Sequence, residues 1–447
     1  MKILFVSLGC DKNLVDSEEM LGLLSGAGYE FTDDETKAQV IVVNTCCFIG
    51  DAKEESINTL LEMAKQKETG CCQVLIAAGC LAQRYKDEVL KEIPEVDGIL
   101  GTASCDRIVS LVEETLRGKK ESVFEEPGHF RENGGGRVVT TGGHYAYLKI
   151  AEGCDRHCTY CVIPGVRGPY RSVPMEKLLR EAKDLAGQGV RELILVAQET
   201  TLYGMDLYGE KRLPLLLEEL SSISGIHWIR LLYCYPEEIT DKLIETIKKE
   251  KKVCHYMDIP IQHASDRILK RMGRRTNRRE ISARISKLRE EIPDMAIRTT
   301  MITGFPGETD EDLEELLDFV DGMEFERLGV FPYSQEEDTP AAAMEGQIPE
   351  ETKLARRDAV MELQQEISLA NGEAMIGRIL EVFIEGKVAD EEAYVGRTYM
   401  DAPGVDGYIF VNTGQELMSG MFVQVKVTGA LEYDLIGELC DEDESAQ

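Results

Sequence analysis

The sequence predicts an α/β chain built as an N-terminal doubly wound parallel-sheet domain, a central partial (β/α)6 barrel and a small C-terminal OB-like β-barrel. Continuous Val/Ile/Leu runs alternate with helical patterns up to residue 118, the signature of strands covered on both faces. The alternation resumes on a longer scale from residue 144, with six strand–helix units, as in a barrel or partial barrel. From about Ile376 the pattern changes to five short strands separated by Gly-rich turns, which suits a small closed barrel. The expected boundaries are 1–118, a linker at 119–143, 144–371, 372–440 and an acidic tail at 441–447.

In the first part, strands are expected at Lys2 to Leu8, Val40 to Asn44, Val74 to Ala78 and Gly98 to Leu100. Helices are expected at Asp16 to Ala27, Ala52 to Lys67, Leu81 to Ile93 and Ser104 to Arg117. Cys10, Cys46 and Cys80 each follow a strand, one βα unit apart. The carboxyl ends of parallel strands share one edge, where ligands bind, so these three thiols are expected to converge and hold a metal cluster. The plain alternative is three ordinary buried cysteines. Cys47, Cys71, Cys72 and Cys105 do not fit this period and read as packing or surface residues.

Pro127-Gly128, the run Gly134-Gly135-Gly136 and Gly142-Gly143 mark the linker. Beyond it, strands are expected at Tyr145 to Glu152, Glu192 to Ala197, Trp228 to Tyr233, Val253 to Ile259, Ala296 to Thr303 and Arg327 to Pro332. Immediately after the first of these comes Cys154-Asp155-Arg156-His157-Cys158-Thr159-Tyr160-Cys161, with the spacing C-x3-C-x2-C. Three thiolates engage three irons of a [4Fe–4S] cluster, whereas structural zinc takes four ligands. The fourth iron is then open to a small molecule. His157, the nearest candidate for a fourth ligand, lies inside the loop, and Cys234 and Cys254 are distant in sequence. The plain alternative is a zinc knuckle or a buried thiol trio. Gln198-Glu199-Thr200-Thr201, Gln262-His263, Arg298 and Gly304 to Glu308 fall at the same strand ends, although each has an ordinary structural use, such as acids in a helix's first turn.

Arg267 to Arg289 carries ten Lys or Arg residues. A solvated helix pair with its own ion pairs explains it, and contact with phosphate or RNA is the lesser reading. A helix is expected over 349–370.

The chain has 447 residues, 43% of them hydrophobic and 30% charged, the composition of a globular protein with a sizeable core. No apolar run reaches the roughly eighteen residues that span a bilayer, and Met1-Lys2-Ile3-Leu4 enters a strand instead of a signal peptide, so a cytoplasmic protein is expected. Thirteen cysteines in such a chain point to metal or redox chemistry over disulfides. The formal net charge of −32 disfavours a general RNA binder and favours a basic partner. Residues 372–447 alone hold sixteen Asp or Glu against four Lys or Arg.

Over nearly its whole length the chain resembles the radical S-adenosylmethionine methylthiotransferases, most specifically the RimO family, which modifies a ribosomal protein. The stretches that carry the resemblance are Leu8-Gly9-Cys10 with Lys12 to Glu18, Asn44-Thr45-Cys46, Glu152-Gly153-Cys154 through Pro164, Arg167-Gly168 with Arg171-Ser172, Tyr256 to Ala264, Gly304 to Thr309, and Gly396-Arg397-Thr398 with Asp401-Ala402-Pro403 and Asp406-Gly407. Asp11, Cys47 and Glu199 stand where Pro, Gly and Asp are common in the family. Cys46 is preferred to Cys47 as a ligand because it completes Asn-Thr-Cys.

The resemblance implies two [4Fe–4S] clusters, one on Cys154, Cys158 and Cys161 that engages S-adenosylmethionine and an auxiliary one on Cys10, Cys46 and Cys80. Tyr160, Gln198, Gln262 and Arg298 are expected to line the S-adenosylmethionine pocket, and the C-terminal barrel to be TRAM-like. The implied reaction places a methylthio group on the β-carbon of an aspartate in the small-subunit protein at the ribosomal decoding centre. One S-adenosylmethionine methylates sulfur, and a 5′-deoxyadenosyl radical from another activates the C–H bond. Expected partners are that basic protein, free or on the ribosome, and a low-potential electron donor such as a flavodoxin or ferredoxin. No membrane contact and no RNA contact outside Arg267 to Arg289 is expected, and the protein is expected to be a monomer. The alternative acceptor is an adenosine in tRNA, for which an acidic barrel is the wrong sign.

Overall fold

Six parallel strands, β1 (Lys2–Ser7), β2 (Glu30–Phe31), β3 (Val40–Thr45), β4 (Val74–Ala78), β5 (Gly98–Leu100) and β6 (Glu121–Val123), form the first sheet in the order β2-β1-β3-β4-β5-β6. The central strands β3 and β4 are buried along their whole length, which is why they read as unbroken apolar runs. The computed structural model describes residues 1–126 and 136–440. Pro127-Gly128, Gly134-Gly135 and the acidic tail at 441–447 lie outside the described residues.

Two edge strands escape the sequence pattern. Glu30–Phe31 is only two residues long, and Glu121–Val123 lies inside the stretch expected as linker. Three of the expected helices also differ, the one at Ala52 to Lys67 being divided at Lys65 into Gly50–Ala64 and Gln66–Thr69. The first begins at Asp11 instead of Asp16: its opening turns bury the polar Lys12 and Asn13 beside Val15, and Asn13 donates to the Leu8 and Thr45 carbonyls, a pattern that apolar period does not show. The stretch expected as one helix from Leu81 to Ile93 is broken into Gly79–Tyr85 and Asp87–Glu92 at Lys86, which has φ +47°.

The second sheet holds β7 (Tyr145–Lys149), β10 (Glu192–Val196), β11 (Trp228–Leu231), β12 (Val253–Asp258), β13 (Ala296–Thr303) and β14 (Arg327–Pro332), all parallel, in the order β14-β13-β12-β11-β10-β7. It is an open barrel, since β7 and β14 do not pair. A short antiparallel pair, β8 (Ala151–Glu152) with β9 (Arg171–Ser172), closes off the cysteine loop between them. Alternate residues of β10 serve two cores. Leu193 and Leu195 pack on the outer helices with Leu178 and Leu185, while Ile194 and Val196 face inward.

The long helix Glu350–Glu373 leads to β15 (Ile379–Lys387), β16 (Ala393–Arg397), β17 (Ile409–Asn412), β18 (Phe422–Ala430) and β19 (Leu435–Leu439). These close into a barrel in the order β15-β16-β17-β19-β18. This barrel packs on the inner face of the central sheet. The Trp228 ring meets Phe422 edge-on at 4.9 Å, and Phe422 stacks on Phe383 at 4.5 Å. Between the two runs a buried ion network, in which Arg230 and Arg397 both bond Glu192 at 2.7 and 2.6 Å. Among the described residues, no helix is long and apolar enough to cross a membrane.

Candidate active site

The loop from Gly153 to Cys161 leaves the C-terminal end of the central sheet and returns through the helix Ile163–Arg167. Its entry is fixed from both sides. Cys154 donates its N–H to the Gly168 carbonyl at 3.1 Å, and Gly153 donates to the Gln198 amide oxygen at 2.8 Å. The Gln198 Nε2 in turn donates to Glu152 at 2.8 Å. Gly153 has φ +82°, and a side chain there would collide with the carbonyls of Gly168 and Pro169.

Arg156 anchors the middle of the loop. Its guanidinium forms a fork on Glu199, at 2.6 and 3.1 Å, reaches Glu238 at 2.7 Å and lies over the Tyr235 ring. At the far side Thr159 donates its N–H to the Met272 carbonyl at 2.9 Å. Tyr160 packs edge-on against Phe305. These contacts leave Cys154 and Cys158 buried and Cys161 half-buried, while His157, at φ +53°, is exposed. Burial pushes the Cys154 and Cys161 thiols up to about 11 and about 12.

The other trio assembles across three neighbouring strands. Cys10, Cys46 and Cys80 follow β1, β3 and β4, which are adjacent in the sheet, so all three lie at one edge. A side chain at Gly9, where φ is +85°, would strike the Cys46 thiol. Cys46 is held by Ser56, whose hydroxyl both accepts from its N–H and donates to its carbonyl. Burial raises the Cys46 and Cys80 thiols. Cys47 is buried with them but faces Arg84 and Glu336, and burial takes it to about 11. Among the described residues, no three His, Cys, Asp or Glu side chains close round a single metal ion.

The two edges face each other, because the polar residues that open the first helix bind the central sheet. Asp16 pairs with Lys149 on β7 and with Arg167, and Glu18 accepts from Arg137 and from Thr140. Asp11 accepts from the Tyr233 hydroxyl at 3.0 Å, and the Lys12 ammonium sits over the Tyr233 ring. Tyr233 and Gln262 both have positive φ, +60° and +79°, at the ends of β11 and β12. Further contacts between the two parts come from Ser334, which accepts the Gly50 N–H, and from Glu336, which pairs with Arg84.

Of the residues expected to contact S-adenosylmethionine, Tyr160 and Gln262 lie partly exposed at this mouth. Gln198 orients Glu152 and Gly153. Arg298 bonds Asp258 at 2.9 Å and, from the C-terminal barrel, Asp406 at 3.1 Å. Glu308 is buried ahead of its helix, accepting from the Gly304 and Phe305 N–H groups and from Arg356. The basic segment is mostly structural: Arg274 lies over Tyr235, Arg278 over Phe319, Arg267 binds Asp312, Arg289 binds Glu326, and Arg284 and Lys287 share Asp241. Arg156, Arg167, Glu152 and Tyr235 were not singled out by spacing. An isolated Arg or Glu carries no period, and only the folded loop shows its use.

A three-thiol loop at the C-terminal mouth of an open parallel barrel defines a radical S-adenosylmethionine enzyme. The model of the radical SAM superfamily matches residues 148–320. Residues 2–101 match the model described as uncharacterized protein family UPF0004, and residues 376–440 match the TRAM domain. The chain is 62% identical to the ribosomal protein uS12 methylthiotransferase RimO of Lachnoclostridium phytofermentans, covering 98% of this chain and 99% of that one. It is 52% identical to the protein of that name from Pelotomaculum thermopropionicum, over 98% and 99%. The chain therefore belongs to the RimO family of radical S-adenosylmethionine methylthiotransferases. In fold it is similar to the radical S-adenosylmethionine methyltransferase TsrM from Kitasatospora setae, with TM-score 0.57, 13% identity, and 76% of this chain and 73% of that one covered.

Proposed function

We propose that this protein places a methylthio group on the β-carbon of an aspartate in ribosomal protein uS12. In this reading Cys154, Cys158 and Cys161 hold one [4Fe–4S] cluster, and Cys10, Cys46 and Cys80 hold the other. The observation that carries the reading is the joining of the two thiol edges by Arg167, which bonds Cys80 and Glu152, in a chain of the RimO family. The donor sets suit the groups. Each trio is all-sulfur, and cysteine sulfur is the donor that an iron–sulfur cluster takes. A cubane also engages each thiolate at its own iron, so the trio need not close round a single point.

When bound, these groups supply the reductive cleavage of S-adenosylmethionine, whose radical activates the acceptor C–H bond, and the sulfur that is methylated and transferred. The chain's own residues hold the geometry and keep water out. Arg156, Gln198 and Glu152 fix the loop that carries the three thiols. Tyr160 and Gln262 line the mouth where S-adenosylmethionine would lie, while Phe305, Ile268 and Met272 form a dry floor beneath Tyr160. Arg298 serves chiefly to dock the C-terminal barrel. Cys47, turned toward Arg84, is outside the ligand set. A ribosomal acceptor places the reaction in the cytoplasm, with a low-potential donor of flavodoxin or ferredoxin type. The acidity of the chain suits a basic protein acceptor over tRNA.

The test is to incubate the reduced protein with S-adenosylmethionine and either uS12 or tRNA, and to read each acceptor by mass spectrometry. One methylthio group on a uS12 aspartate is expected. An adduct on tRNA with none on uS12 would overturn the reading.

A further inference from the structure

We infer that Arg167 is a positioning residue that joins the two thiol edges and, through a charged N–H···S contact to Cys80, raises the reduction potential of the group bound there. This rests on the reading that Cys10, Cys46 and Cys80 hold a cluster. Arg167 ends the helix that begins two residues after Cys161, and the neighbouring Gly168 carbonyl accepts the N–H of Cys154. Its backbone thus belongs to the radical-generating loop. Its side chain does not stay there. It reaches the other thiol edge, where Nη2 donates to the Asn13 side-chain oxygen at 2.9 Å and to the Cys80 sulfur at 3.3 Å. Nη1 donates to Asp16 at 2.6 Å and to Glu152, the residue before Gly153, at 3.3 Å.

The side chain is 2% exposed, and its planar fork lets it touch a thiol of one site and a carboxylate of the other at once. Asp16 and Glu152 hold the guanidinium in place, and Asn13 is itself fixed by donating to the Leu8 carbonyl at 2.6 Å. A hydrogen bond from a cation to a cluster thiolate favours the more negative, reduced state, so the potential rises. Burial strengthens the effect, because little water screens it. The other trio receives no such contact from Arg167 and serves as the internal control.

The experiment is a redox titration followed by electron paramagnetic resonance, in a background with Cys154, Cys158 and Cys161 changed to Ala so that only the auxiliary cluster is seen. Arg167→Gln should disfavour reduction at least tenfold, a fall of about 59 mV for a one-electron couple, and Arg167→Lys should fall less. In chains with all six cysteines, the potential of the cluster on Cys154, Cys158 and Cys161 should not move. A full auxiliary cluster with unchanged potential in Arg167→Gln would overturn the inference. Should either variant fail to assemble, the same protein with Arg167 intact and 15N-labelled arginine decides: the reduced cluster is expected to show a spin-echo coupling to a guanidinium nitrogen, and its absence overturns the inference. A background chain that binds no iron would instead overturn the cluster reading itself.

Discussion

Gly153 and Arg156 set the shape of the cysteine loop by opposite means, one through the lack of a side chain and the other through a fully used one. In Gly153→Ala the new carbon meets two carbonyl oxygens at a φ that L residues rarely adopt, so Cys154 must move. Iron and sulfide are expected to fall from about eight of each per chain toward about four, with the loss confined to the radical cluster. Arg156→Leu leaves Glu199 buried without its partner, at a cost of about 3–5 kcal/mol. The same cluster should then bind weakly and be lost on gel filtration. The two neighbouring thiols separate as cleanly. Cys47→Ala should keep about eight irons and Cys46→Ala about four, because Cys47 faces Arg84 and Cys46 faces Cys10. Equal iron in the two variants would refute that division. The cysteines themselves were legible in the sequence, since spacing and strand ends place them. Their anchors were not, because Glu199 and Asp16, which Arg156 and Arg167 bind, lie more than forty residues away or in another domain, and the nearer Glu152 has no period to mark it.

At the level of elements, apolar period located the strands well and failed where polar residues face inward. The first helix shows the reason: its opening turns, ahead of Asp16, carry Lys12 and Asn13 buried, and Asn13 binds the Leu8 and Thr45 carbonyls. Acids at helix starts were only half explained as dipole partners. Asp312 forms a capping box with Thr309 and also accepts from Ser265 and Arg267. Burial opposes its charge, yet bonds from Ser265, the Thr309 backbone and Arg267 hold its carboxyl down at about 2. A carboxyl lowered in the folded state stabilises above the usual carboxylate range and stops doing so as pH falls from about 4 through about 2. Asp312→Asn should therefore cost about 1 kcal/mol near pH 6. Urea denaturation repeated at descending pH should show that penalty shrink. A constant penalty would mean that the charge of Asp312 contributes nothing.

Across the whole molecule, net charge overstates the acid offered to a basic partner, because part of it is spent on assembly. Asp401 and Asp406 bind Arg327 and Arg298 of the central sheet, and Glu385 binds Arg397 within the barrel. The C-terminal barrel is thus a docked part of the catalytic unit, with its exposed acids pointing elsewhere. How it docks could not be read from the sequence, since Glu192, Arg230 and Arg397 are 205 residues apart at the extremes and each looks like an ordinary surface charge. In the fold all three are fully buried. Glu192→Ala leaves the buried Arg230 without a carboxylate and Arg397 with Glu385 as its remaining one, and should cost about 3–5 kcal/mol. Glu381→Gln, which loosens only the half-exposed pair with His227 at the rim, should cost less than about 1 kcal/mol. Differential scanning calorimetry distinguishes the two. Glu192→Ala is expected to split off an early transition, with protease cutting near the end of the helix Glu350–Glu373, while Glu381→Gln unfolds as the parent does. If both variants keep one transition at the parent temperature, the buried network does not hold the barrel in place, and the docking rests on the aromatic contact of Trp228 with Phe422 and Phe383 and on the ion pairs of Asp401 and Asp406.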